Sequence, residues 1–308
     1  MTNTQIAKIS LITIAIAWGA TFLPIQYMLK NINVPSFLFF RFLISAILLC
    51  IISLKIGIKF DKTSAKFGVI LGIFMFLDFM FQTYALNYTF SSTVAFIIGL
   101  NVVIVPFLMY FIFKIHLSFN AILGAVMAVL GLFLLSGTSG LRLGFGEVLS
   151  LISAFAYALH VVYTGRFARA CNIYILLIAQ FFTMSFLTLI YALFFATPSK
   201  NSLNLFGGFE IWLSINFIYM IIFTAVFATV IAFFVQTKAQ IYLTPEQTSL
   251  ILILEPVSAG FIGYFIGNEL LSKAQIFGAI LIITAILINE LNLTKFIRKS
   301  TRRIFKIL

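Results

Sequence analysis

Charged side chains are scarce in this chain of 308 residues: Asp, Glu, Lys and Arg together make up 9% of it, where about 25% is usual in a soluble domain. The two cysteines, Cys50 inside an apolar run and Cys171 in a short basic linker, have no spacing suited to a disulfide framework or a metal site. Redox and zinc chemistry are therefore not expected. Nor does the chain carry a His/Asp/Glu metal cluster, a Gly-rich phosphate cradle, a Ser/His/Asp set or paired catalytic carboxylates on one helix. An enzyme is not expected, and neither is a cofactor. A soluble nucleotide-binding domain is also missing, so direct ATP driving would need a partner to supply it. What the chain has in excess is hydrocarbon: 62% of its residues are apolar, with 38 Phe, against roughly 45–50% in soluble proteins. A globule of this size cannot hide that much apolar surface under a polar outer layer. The composition implies an all-α integral membrane protein, most of whose phenylalanines face lipid.

A helix crossing the hydrocarbon needs about 20 mostly apolar residues, with every backbone polar group satisfied within the segment. Ten stretches fit: 8–28, 35–54, 67–87, 91–113, 119–137, 147–165, 173–196, 211–235, 245–267 and 273–292. The first lacks a basic leader and an Ala-x-Ala cleavage site, which predicts a retained helix. The formal charge of +12 sits in short loops and at the C-terminus. With the N-terminus cytoplasmic, 15 of the 20 basic residues fall in inside segments and 4 in outside loops, Arg41 alone lying within a span. Positive charge collects on the cytoplasmic side, so both termini are predicted there. The basic tail at 293–308 follows a span immediately and reads as a topology anchor on anionic lipid, not as a nucleic-acid arm.

Sliding the sequence on itself by 154 residues matches 82–125 to 236–279 without a gap, with 16 identities in 44 positions. Gln82-Thr83 meets Gln236-Thr237, Tyr110-Phe111-Ile112 meets Tyr264-Phe265-Ile266, and Gly124-Ala125 meets Gly278-Ala279. The first two spans of each half fit at an offset of 139, which pairs Trp18 with Tyr157 and Arg41 with Gln180. The division is 1–138 for the first five-helix repeat, 139–292 for the second, and 293–308 for the tail. Five is odd, so the second copy must enter the bilayer from the opposite side. Two inverted five-helix repeats around a midplane site are the architecture of an alternating-access carrier.

Several fragments, each weak alone, are specific in their order. They are Ala17-Trp18-Gly19-Ala20-Thr21-Phe22, Phe39-Phe40-Arg41-Phe42, Gln82-Thr83-Tyr84-Ala85-Leu86, Ala158-Leu159-His160 with Gly165-Arg166-Phe167-Ala168-Arg169, Leu254-Glu255-Pro256-Val257, Gly267-Asn268-Glu269 and Gln275-Ile276-Phe277-Gly278-Ala279. Over nearly its whole length the chain resembles the EamA-type permeases of the drug/metabolite transporter superfamily. The resemblance implies ten helices, a place in the bacterial cytoplasmic (inner) membrane, and transport of small metabolites, often outward. Two departures make the halves chemically unequal: Asn101 and Pro106 stand where a Glu-Pro pair would align, and Ile115 stands opposite Glu269.

Ionisable groups in hydrocarbon cost at least about 2.5–3.5 kcal/mol on insertion scales, so each needs a partner, a wet cavity or a task. At 1.5 Å per residue, Arg41 lies about 9 Å below the outer surface and Asp78 at a similar height. They read either as an ion pair bracing the second and third spans or as an anion-binding or gating arginine with its counter-charge. Glu255, near the midplane with its repeat counterpart Asn101, reads as a substrate or proton site or as an interhelical brace. Pro256 frees a backbone carbonyl beside it and favours a bend. His160 reads as packing or as a titrating group, Trp18 and Tyr157 as core or as a shared aromatic wall. Gln82 and Gln236 close hydrogen bonds between helices or line the path, and Thr21 joins the lining with Trp18. Gly68-xxx-Gly72 and Gly263-xxx-Gly267 permit close helix contact, inside the chain or at a dimer face. The expected partners are a small-molecule substrate and the lipid bilayer, with the chain a monomer or a homodimer. The leading expectation is a secondary carrier exporting small organic metabolites such as amino acids. A permease for toxic cations is the alternative, and an intramembrane enzyme or a scaffold is more distant.

Overall fold

The computed structural model describes residues 1–30, 32–115, 119–135, 144–195, 215–266 and 272–290. Among them every regular element is helical. In order these are α1 (Asn3–Gly19), α2 (Phe22–Met28), α3 (Val34–Ile56), α4 (Lys62–Ala85), α5 (Ser91–Gly99), α6 (Asn101–Phe113) and α7 (Phe119–Leu135). Then follow α8 (Phe145–Phe167), α9 (Ile173–Phe195), α10 (Ile215–Ala225), a π turn (Val226–Ile231), α11 (Ala232–Ala239), α12 (Pro245–Leu252), α13 (Leu254–Ile266) and α14 (Lys273–Glu290). α1 continues into α2 across Ala20-Thr21, α5 into α6 across Leu100, α10 into α11 through the π turn, and α12 into α13 across Ile253, which leaves ten rods. Seven are long and apolar enough to cross a membrane: Asn3–Met28, Val34–Ile56, Lys62–Ala85, Ser91–Phe113, Phe145–Phe167, Ile173–Phe195 and Phe217–Ala239. Among the described residues α7 and α14 hold shorter apolar helices, Ile122–Leu134 and Lys273–Leu287. Glu269, Gly267, the 197–210 loop and the basic tail at 293–308 lie outside the described residues.

Several rods outrun the expected spans because capping, not hydrophobicity, sets their ends. α1 starts at Asn3, where the Thr2 hydroxyl accepts from the Gln5 amide at 3.3 Å and the Gln5 side chain accepts from the Thr2 amide at 2.9 Å. α4 starts at Lys62 because the Asp61 carboxylate accepts from the amides of Thr63 at 3.2 Å and Ser64 at 2.9 Å. The Ser64 hydroxyl also donates to Asp61 and accepts from the Asn172 amide at 2.8 Å, which ties the loop before α9 to the start of α4. These bonds, led by that of the Ser64 hydroxyl, hold the Asp61 carboxyl below the usual carboxylate range. Such a group stabilises the fold above its unfolded pKa and ceases to do so as pH falls through its depressed folded value. Asp61→Ala is therefore expected to lower the thermal midpoint of the purified protein at neutral pH, with the deficit fading in acid. A deficit that stays constant across a pH series would contradict the cap.

The 154-residue offset recurs in the helix breaks. α5 and α6 map onto α12 and α13 to within one residue, and the breaks at Leu100 and Ile253 share tight dihedrals, φ −62°, ψ −10° and φ −60°, ψ −14°. The rods pack in matched pairs. α4 lies against α8 and α9, α3 against α9 and α10, α1 against α11 and α13, α5 and α6 against α8 and against α12 and α13, and α7 against α14. Glycine permits the closest of these approaches. A Cβ on Gly72 would meet Thr183 Cβ at 2.6 Å and the Gln180 carbonyl at 2.7 Å, so Gly68 and Gly72 serve packing of α4 on α9 within the chain. Some hydroxyls inside the bundle turn back on their own helices, as Ser150 does to Gly146 O at 2.8 Å and Thr188 to Met184 O at 2.6 Å. Phe111, Phe186, Phe194, Phe265 and Phe277 lie exposed on the outside. Water would not tolerate such a belt, and acyl chains do.

Candidate functional site

The site is organised by the π turn at Val226–Ile231. An α-helix satisfies each carbonyl four residues on, whereas a single π turn shifts that ladder and frees oxygens for side chains. Here the Ala228 carbonyl accepts from Trp18 Nε1 at 2.8 Å and from an Arg41 terminal nitrogen at 3.2 Å, while the Ala225 carbonyl accepts from the Ser45 hydroxyl at 3.0 Å. The Thr229 hydroxyl accepts from Arg41 Nε at 2.8 Å and donates to Thr224 O at 2.8 Å. The guanidinium carbon stands 4.9 Å from the Phe79 ring centroid and 5.4 Å from that of Phe42, a second way to hold a buried cation. Trp18 and Arg41, from the first two rods, are thus oriented by the eighth.

They face a cavity that, with its open mouth included, has about 550 Å³ of empty space. Its apolar walls are Trp18, Phe22, Ile25, Phe79, Leu86, Ile98 and Phe233, and its polar groups are Thr21, Arg41, Asp78, Gln82, Thr83, Tyr157 and Glu255. Trp18 and Phe233 pack at 5.2 Å between centroids, and Phe233 also meets Phe79 at 6.0 Å. On α4 the lining runs from Asp78 to Leu86, the end remote from Lys55, Lys59, Lys62 and Lys66. The cavity therefore lies in the half of the bundle away from the basic loops.

Of the residues singled out by the sequence, Trp18, Thr21, Arg41, Asp78, Gln82, Tyr157 and Glu255 meet in this one space. Arg41 and Asp78 share it without a direct ion pair. The arginine's donors go to Ala228 and Thr229, and Asp78 accepts from the Ser153 hydroxyl at 2.6 Å. The two charges, read from the sequence as an ion pair bracing the second and third spans or as a gating arginine with its counter-charge, are each held by a separate neutral tether. The Glu255 carboxylate has no hydrogen-bond partner among the described residues. It sits two residues past the break at Ile253, in the first turn of α13. The Thr21 hydroxyl is occupied locally, donating to Trp18 O at 2.7 Å. Asn101, His160 and Gln236 do not line the cavity. Asn101 donates to Ile98 O at 2.8 Å on its own rod, whereas His160 and Gln236 are buried, His160 edge-on to Phe233. Phe233 and Phe79 carried no signal in the sequence, being two of 38 phenylalanines. Charged groups of both signs and aromatic walls thus face one space.

The EamA-like transporter family matches residues 5–137 and 144–290, which together span nearly the whole chain. The chain belongs to that family. An uncharacterized transporter of Archaeoglobus fulgidus is 29% identical over 285 residues, covering 92% of this chain and 86% of the relative. A solved crystal structure of a protein aligns with a TM-score of 0.71 at 18% identity, covering 93% of this chain and 97% of that one, a likeness of fold alone. This EamA-like protein is accordingly a multi-pass membrane transporter and not an enzyme, one that sits in a lipid bilayer and binds small-molecule substrates.

Proposed function

We propose that this transporter exports small organic metabolites, amino acids and related amphipathic compounds among them, by alternating access around the cavity. The observation that carries the reading is the meeting of Arg41, Asp78 and Glu255 with Trp18, Phe79 and Phe233 in one space within the bundle. A solute with a carboxylate, an ammonium and a flat apolar body finds a complement for each part there, charge to charge and ring to ring. Two inverted repeats, 1–138 and 139–292, supply the two states. In support, the pattern of rod contacts maps onto itself when the first five rods are exchanged with the last five, and the family match falls in two stretches. Both termini lie in the cytoplasm, the membrane is the bacterial inner membrane, and the basic tail 293–308 rests on anionic lipid. The cavity then opens toward the outer face. The solute's own gradient drives transport, with Glu255 carrying a coupling proton.

Purified protein in liposomes, challenged with a panel of labelled metabolites with and without a pH gradient, tests this directly. Flux of zwitterionic amphipaths is expected, and Glu255→Gln is expected to abolish its dependence on the pH gradient, since the amide cannot exchange a proton. Normal proton-dependent flux in that variant removes the coupling role. Efflux of toxic cations is the second reading, favoured by the unpartnered Glu255 carboxylate on an aromatic wall. It predicts changed resistance to cationic drugs when the gene is overproduced or deleted.

A further inference from the structure

Among the described residues, and Asn101 Oδ1 apart, six buried side chains at or beyond the cavity wall carry polar atoms that make no hydrogen bond: Tyr157, His160, Thr164, Gln180, Gln236 and Gln240. None is more than 5% exposed. An unpaired buried polar group costs about 1–3 kcal/mol, and nearly all such groups in native folds are satisfied. Six together, from three rods, are not packing accidents.

Their order is directional. Tyr157, His160 and Thr164 follow at i, i+3 and i+7 along one face of α8, about 10 Å of axis at 1.5 Å per residue. Gln236 and Gln240 follow at i and i+4 along α11 and its cap, with Gln236 beside the Tyr157 hydroxyl and Gln180 of α9 beside His160. The Gln240 amide reaches across to Val161 O at 2.9 Å. Tyr157 opens on the cavity. From there the stripe leads toward the end of α8 at Arg166 and Arg169 and the end of α11 at Lys238, the basic end of the bundle, opposite to the cavity.

Both ends of the stripe are shut by small contacts. On the cavity side Phe233 lines the open space and meets His160 edge-on at 5.7 Å. On the basic side Gly165 lies so close to Pro245 that a Cβ there would stand 2.8 Å from the ring.

We propose that this stripe is the collapsed second half of the solute path, from the cavity to the basic face, with Phe233 as the gate between the two halves. The orphaned groups are then the lining that water and solute satisfy when α8 and α11 part. Gln180, His160 and Gln236 become lining residues of the opposite-facing state. The inference rests on the carrier reading above and adds the route and its gate.

Cysteine accessibility tests it in a chain whose Cys50 and Cys171 are replaced by alanine, with the charged thiol reagent MTSET applied to the basic face of membrane vesicles. A state populated at about 0.1–10% suffices for reaction, so Thr164→Cys and Gln236→Cys are expected to react at least about tenfold faster than the buried apolar control Val162→Cys. Adding Phe233→Ala is expected to let reagent from the opposite face reach Gln236→Cys. Thr164→Cys is nearly isosteric and decides alone should Gln236→Cys fail to assemble. Reaction of Thr164→Cys at the control rate, with Phe233 intact or removed, overturns the path. If the same vesicles still carry metabolite flux, only the route falls and the carrier reading stands. Fast reaction without flux of any metabolite in the panel keeps the path and removes the metabolite reading.

Discussion

Gly19→Ala is expected to destabilise the protein by about 3 kcal/mol, the upper end of what overpacking a core costs. Gly19 ends α1 where that helix crosses α13, and a Cβ there would fall on the Ser258 hydroxyl and the Glu255 carbonyl, with the Ala259 amide nitrogen at 2.8 Å. Two of these three obstacles are backbone and cannot swing aside. The contact is also cross-linked, since Ser258 Oγ of α13 reaches Ile16 O of α1 at 3.3 Å, sharing its proton with Glu255 O of its own helix at 2.9 Å. Separating the helices therefore breaks that link as well as packing. The functional loss should exceed the loss of stability, because α1 brings Trp18 and Thr21 to the cavity and α13 brings Glu255. Thermal unfolding of the purified variant and its flux in liposomes read the two effects separately. Ser258→Gly in the same chain removes the nearest obstacle and should restore part of the stability, the backbone obstacles keeping the rest. A thermal midpoint unchanged in Gly19→Ala would show that the two helices are free to separate, against the packing described.

What the sequence made legible follows from the solvent. In hydrocarbon a polar or ionisable residue is costly enough to stand out, and Trp18, Arg41, Asp78, Tyr157 and Glu255 were visible for that reason and meet at one cavity. The same rule marks polarity without marking its surroundings. His160 and Gln236 were as conspicuous as Tyr157, yet neither lines the cavity, and the Phe233 ring that does, edge-on to His160, is one phenylalanine among 38 and gives no warning of its position. Residue counts put Arg41 and Asp78 at one height, and both line the cavity. Lateral choice was not legible, because the competitor for Arg41 is a set of backbone oxygens released by a π turn in an apolar stretch, Val226–Ile231, whose letters read as ordinary helix. The break at Ile253 was half visible: Pro256 announced a bend, and the structure takes it three residues earlier, just before Glu255.

Asp78→Asn is expected to cost about 3 kcal/mol of stability by stranding a buried cation. Arg41 is 3% exposed, and its hydrogen bonds go to neutral acceptors, Thr229 and Ala228. Its charge is balanced across the cavity by Asp78, itself tethered to Ser153. The amide that replaces the carboxylate would keep that tether and the volume, so the loss reports charge and not a hole. Arg41→Gln should cost a similar amount by leaving the carboxylate unbalanced. Combining Arg41→Gln with Asp78→Asn should recover most of the stability, since a matched neutral pair leaves no charge to compensate. Thermal unfolding of the two single variants and the double one forms the cycle that decides it. A double variant as unstable as the sum of the singles would mean that the two groups do not sense each other and that the cavity holds independent charges. Recovery of stability without recovery of flux separates the roles: the balance of charge holds the bundle together, and the charges themselves hold the solute.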